Sequence, residues 1–233
     1  MQAAIPEAQH NSIVFLRGGV GWDSAEAAVK KIIATKPLPM LICSSGFCGG
    51  LNPELAVGDI VLPDRIAGLG LGEKYAITFD GPVLGERSFG VVLNALRDAL
   101  TGAKIRHHGG TMVSMRAPVT QVKQKRELGV AQKAASVDME SFAIADNAFR
   151  KAPVFALRAV SDAMDDELPP EVGGFLNPNG DVRVGNVAKF VIGDPRNVKT
   201  LWNLKTRTDK ATAALTAAWK AAWPVIAALE LSK

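Results

Sequence analysis

The 233 residues, 48% hydrophobic and 21% charged, can bury one sizeable core, which excludes a disordered chain. The formal net charge of +4 comes from basic residues scattered along the chain; their tightest cluster, Lys123, Lys125 and Arg126 beside Glu127, reads as a solvated helix face, so nucleic acid is not an expected partner. Two cysteines, Cys43 and Cys48, are poorly placed for a disulfide, and with three histidines they show no zinc spacing, so neither a metal nor a cofactor is expected and the compartment is reducing.

Met1 to Asn11 is polar and carries no signal peptide. No stretch reaches the roughly 18 to 20 apolar residues of a spanning helix, which points to a cytoplasmic protein without a membrane segment. Ser12 to Leu16 is β-rich and leads into Arg17-Gly18-Gly19-Val20-Gly21, a glycine turn. Asp23 and Glu26 have capping-box spacing ahead of an Ala-rich helix running to about Thr35. Met40 to Ser45 is apolar without alternation, as in a sheet covered on both faces. Gly46 to Gly50 reads as a tight turn, Val57 to Pro63 as a strand, and Asp64 to Pro82 as irregular. Helices are predicted over Ser88 to Leu100, Thr120 to Leu128 and Met139 to Phe149, with extended chain over Lys104 to Met115, Ala135 to Asp138 and Val154 to Ser161. That alternation predicts a single α/β domain over residues 1–233, a central mixed, largely parallel sheet between helical layers. Residues 163–197 form a long Pro- and Gly-rich loop or lid. Residues 198–231 read as helix, whose Trp202, Trp219 and Trp223 suit core packing or an interface.

Three segments carry chemistry. In Ser44-Ser45-Gly46-Phe47-Cys48-Gly49-Gly50-Leu51 a strand ends in small residues, which fits either a plain turn or a close ligand approach to the backbone. Ser136-Val137-Asp138-Met139-Glu140-Ser141 sets a carboxylate at a strand-to-helix junction, able to accept from two vicinal hydroxyls or simply to favour a helix start. Leu157-Arg158-Ala159-Val160-Ser161-Asp162 ends an apolar strand in an acid, where open α/β sheets bind ligands. There a protonated Asp162 could donate to purine N7, although aspartate is also a common turn former.

Joined in order, these segments and Gly18-Gly19-Val20-Gly21 resemble the superfamily of purine nucleoside phosphorylases and 5'-methylthioadenosine/S-adenosylhomocysteine nucleosidases. Leu168-Pro169-Pro170, Asn179-Gly180 and Asp194-Pro195-Arg196 are similar to its hopanoid-associated phosphorylase branch, whose members are taken to release adenine from adenosylhopane. The resemblance implies that Glu140 binds the ribose diol, Met139 packs on the sugar, Asp162 engages N7 and Ser161 orients it. It also implies that Cys48 and Gly49 line the pocket, with Arg158 serving an anion or pairing with an acid. Family nucleosidases begin with a further strand whose acid activates water. Only eleven residues precede Ser12, so that strand is expected to be missing, with Glu7 the one acid in the tail that could replace it. The implied protein is a homodimeric nucleosidase acting on a small purine nucleoside; a phosphate-dependent phosphorylase and a non-catalytic nucleoside-binding protein are the alternatives.

Overall fold

The computed structural model describes residues 13–69, 75–78 and 89–230. Its strands are β1 (Ile42–Gly50), β2 (Ile60–Val61), β3 (Arg65–Gly68), β4 (Tyr75–Thr78), β5 (His107–His108), β6 (Thr111–Ser114), β7 (Ala134–Asp138) and β8 (Val154–Asp162). Its helices are α1 (Trp22–Ile33), α2 (Phe89–Gly102), α3 (Val122–Gln132), α4 (Ser141–Ala148), α5 (Val184–Gly193) and α6 (Asn197–Glu230). The strands make one sheet in the order β4-β3-β6-β7-β1-β8-β2-β5. Four neighbouring pairs run parallel and three, β1 with β7, β2 with β8 and β3 with β4, run antiparallel. The sheet is therefore mixed, as expected.

The apolar run of β8 is buried at every residue but Ser161, because helices cover both faces of this central strand. Its Phe155 meets Trp219 of α6 at a ring separation of 6.4 Å, and Trp219 Nε1 donates to Ser45 Oγ of neighbouring β1 at 2.9 Å. Residues an odd number of steps along β8 point the other way: Arg158, three beyond Phe155, donates to Ser141 Oγ of α4 at 3.0 Å. Trp22 of α1 stacks on Phe142 of α4 at 5.4 Å, so α1 and α4 form one layer and α6 the other.

The structure corrects several expectations. Residues 13–19 form no strand; Arg17 pairs with Asp181 at 2.7 Å and the Val20 N–H just beyond donates to the Pro178 carbonyl at 3.0 Å, so a distant turn holds the C-terminal end of this stretch. The capping box does not form. Gly21 is the N-cap, and Asp23 falls inside the first turn, where it pairs with Arg116 at 3.0 Å. Gly46 to Gly50 belongs to β1, and the segment after Asp64 contains β3 and β4. The long connection holds a short 3-10 turn, Pro170–Gly174, and the whole of α5. Trp219 and Trp223 are buried, whereas Trp202 is exposed.

Candidate active site

Strands β7, β1 and β8 lie side by side, and their register explains how the residues singled out by sequence meet. Gly46 of β1 sits opposite Arg158, and a bulge at Cys48/Gly49 sets Gly49 opposite Asp162. A β-carbon at Gly46 would lie 2.5 Å from Arg158 Nη1, and one at Gly49 would lie 2.9 Å from Asp162 Oδ2. Glycine leaves space at these two positions for charged side chains that lean across the strand. The glycine run is thus a strand built for close approach, rather than a turn.

Arg158 is buried, and a buried guanidinium is tolerated only when its donors are met. Its Nη2 lies 2.9 Å from Asp138 Oδ2 and donates to Ser44 Oγ at 2.7 Å. Its Nη1 reaches Glu140 Oε2 at 3.3 Å. Of the two roles open to Arg158, pairing with acids is the one observed. Asp138 is fixed further by Ser114 Oγ at 2.5 Å and by the Ser141 N–H at 3.0 Å.

Glu140 uses its other oxygen, Oε1, to accept from the Gly21 N–H at 2.8 Å, which ties it to the glycine turn that starts α1. Burial raises its carboxyl above the ordinary glutamate range, outweighing the nearby Arg158, which pulls the other way. Met139 lies beside the same turn: its Cε would be 3.6 Å from a β-carbon at Gly21.

Asp162 is buried four residues further along β8. Ser161 Oγ donates to its Oδ1 at 2.7 Å, with the Cys48 carbonyl 3.3 Å away. Lys125 Nζ donates to Oδ2 at 2.5 Å, and also to the carbonyls of Ala163 at 2.9 Å and Asp166 at 2.8 Å. The Lys125 side chain is 0% exposed. Reading it as part of a solvated face is therefore wrong, although its neighbours Lys123 and Arg126 are exposed. One signal could have found it: Val122, Lys125 and Leu128 recur at three-residue spacing, which puts the lysine on the helix's inward stripe. Cys48 is buried on the strand between the two acids, and burial pushes its thiol up against the opposing pull of Arg158.

Arg158, which holds Glu140, and Asp162 therefore lie over one strip of β1. The places opposite Gly46 and Gly49 are three residues, or about 10 Å, apart along the strand. Glu7 lies outside the described residues. An open groove of about 720 Å³, lined among others by Leu51, His108, Arg126 and Met164, touches neither acid. Among the described residues no group of three or more His, Cys, Asp or Glu could hold a metal ion.

Residues 4–189 match the model of the phosphorylase superfamily, which spans well over half of the chain. The chain belongs to that superfamily. It is accordingly an enzyme of glycosidic bonds, a hydrolase or a phosphorylase. It is 25% identical over 171 residues to a 5'-methylthioadenosine/S-adenosylhomocysteine nucleosidase of Staphylococcus aureus, covering 70% of this chain and 74% of the relative. The fold is similar to that of the 5'-methylthioadenosine/S-adenosylhomocysteine nucleosidase of Neisseria meningitidis, with a TM-score of 0.61 at 20% identity over 88% of this chain and 78% of that one. It is also similar to the futalosine hydrolase of Helicobacter pylori, with a TM-score of 0.59 at 16% identity over 93% and 78%. At these identities the structures speak for the fold.

Proposed function

We propose that this superfamily member is a purine nucleosidase that releases adenine from an adenosine derivative carrying a bulky apolar 5' substituent, of the adenosylhopane kind. The observation that carries the reading is the pair of acid networks on one strip of β1: Glu140 held by Arg158 and Gly21, and Asp162 held by Ser161 and Lys125. Glu140 accepts from the ribose hydroxyls while Met139 packs on the sugar. As the bond from the sugar to N9 breaks, its electron pair moves into the purine, and N7 takes a proton through Asp162, with Lys125 as the adjoining source. Cys48 and Gly49 form the floor between the two acids. Preorganised groups of this kind are worth about 10²-fold or more each when removed.

Water suits the site better than phosphate as the acceptor. Arg17 and Arg158, the two cations that a phosphate would need, are both committed to acids. Glu7 is our candidate for activating the water, and the protein is proposed to act as a cytoplasmic homodimer. A second reading, a nucleoside-binding protein without turnover, is favoured by the buried ion pair, which occupies the acid that must serve N7.

Adenine release from 5'-alkylthioadenosines of increasing chain length, with and without phosphate, tests all of this. We expect free sugar as the co-product in both conditions, with kcat/KM rising with chain length. A ribose 1-phosphate product overturns hydrolysis, and adenine binding without any turnover selects the binding protein. Full activity in both Asp162→Asn and Glu140→Gln overturns the site.

A further inference from the structure

Away from the site, α5 and the start of α6 present an apolar surface that no part of the described chain covers. Helix α5 (VGNVAKFVIG) contributes no buried residue, although six of its ten residues are Val, Ala, Phe or Ile. Its inner side is anchored: the Phe190 ring lies 5.1 Å from Phe175, and Asn197 Nδ2 donates to the Phe190 carbonyl at 2.7 Å. Its outer side carries Val184 and Ile192, 73% and 82% exposed and eight residues apart, hence on one helix face. Across the Asn197 joint, Val198 and Trp202 of α6 repeat the pattern at a spacing of four, 55% and 69% exposed.

Charge identifies what fits this face. Residues 182–205 hold five basic residues, Arg183, Lys189, Arg196, Lys199 and Lys205, all exposed, against the single acid Asp194. The chain has 27 basic and 23 acidic residues, so this stretch carries the whole formal excess of +4 and the remainder balances at 22 of each sign. Arg183, Lys189 and Lys199 pair with no acid among the described residues. A protein surface that meets a second copy of itself would bring these charges against one another. An anionic lipid surface takes both features at once, the apolar ridges entering the headgroup boundary and the cations meeting lipid phosphates. An exposed tryptophan beside lysines is the side-chain combination that such an interface favours. No helix among the described residues is long and apolar enough to cross a membrane.

We propose that the outer face of α5 and the first turns of α6 form a docking surface for anionic phospholipid membranes. The face shares no residue with the nucleoside site, so the two readings fail separately.

The test is flotation of the full chain with vesicles of phosphatidylcholine alone or with about one-third phosphatidylglycerol. Binding is expected to the anionic vesicles only and to weaken with salt. At about fivefold per cation, Lys189→Gln with Lys199→Gln lowers the partition about 25-fold, and Ile192→Asp with Trp202→Ala abolishes it. Both variants keep adenine release from a soluble nucleoside and an unchanged thermal midpoint, because every altered side chain is exposed. Absence of binding at low salt overturns the proposal, as does equal binding to neutral vesicles. A wild-type dimer that Ile192→Asp with Trp202→Ala splits, without vesicle binding by either, assigns the face to a second copy instead.

Discussion

Lys125→Met tests most directly whether the buried lysine belongs to the Asp162 site. The substitution keeps the length and apolar stem of the side chain but deletes an ammonium that is 0% exposed and serves one carboxylate and two carbonyls. The Asp162 carboxylate, with 9% side-chain exposure, then retains, among the described residues, only Ser161 as a side-chain donor. Removing one member of a buried ion pair destabilises by about 3–5 kcal/mol, which for a chain of this size lowers the thermal midpoint by roughly 6–20 °C. Asp162→Asn leaves the opposite charge stranded and is expected to destabilise by a similar amount. The double variant removes both charges, so its loss is well below the sum of the singles. A coupling of at least about 2 kcal/mol is expected from a double-mutant cycle in urea. Additivity within about 0.5 kcal/mol refutes the pairing. Adenine release adds a second readout: Lys125→Met lowers kcat far more than it changes KM if the lysine supplies the proton that N7 receives.

Four further outcomes follow from the same geometry. Burial holds Glu140 above the ordinary glutamate value of 4.5, and its carboxylate is the form that accepts from a diol. Activity is therefore present above that raised pKa and lost as pH falls through it, and the acid limb of kcat/KM disappears in Glu140→Gln; an unchanged limb removes Glu140 from the profile. Gly49→Ala sets a methyl 2.9 Å from Asp162 Oδ2 and is expected to reduce turnover at least about tenfold, as loss of a preorganised group does. Gly68→Ala drives a methyl to 2.5 Å from the Phe142 ring and lowers stability by about 1–3 kcal/mol while sparing the site; steady-state kinetics and urea midpoints on the pair separate the two effects. Cys43 and Cys48 are both free, and burial raises both thiols. Cys48 is buried and Cys43 half-buried, so native protein should release at most one equivalent of colour from a disulfide reagent over minutes and two in denaturant; rapid native labelling of both contradicts the burial of Cys48.

Much of the fold is legible in the order of the residues. The apolar runs at Val154 and Ile42, the periodicity of α2 and α6, and the junction at Asp138-Met139-Glu140 mark strands and helices by local pattern, because burial on one face or two leaves its period in the chain. The acids at 140 and 162 can be named for the same reason, since each ends or follows an apolar strand. The tertiary structure alone decided that Gly46 to Gly49 stay in a strand, because the cause is a guanidinium and a carboxylate brought over them from β8. Only it showed which acid the buried Lys125 serves, because the spacing of Val122, Lys125 and Leu128 can turn the lysine inward but Asp162 lies 37 residues away in sequence, and a pairing at that separation leaves no local trace. For the same reason it alone showed that residues 13–19 form no strand: extended backbone becomes a strand only where a sheet neighbour takes up its hydrogen bonds, and the ties seen here, from Arg17 to Asp181 and from Val20 to Pro178, run to a turn.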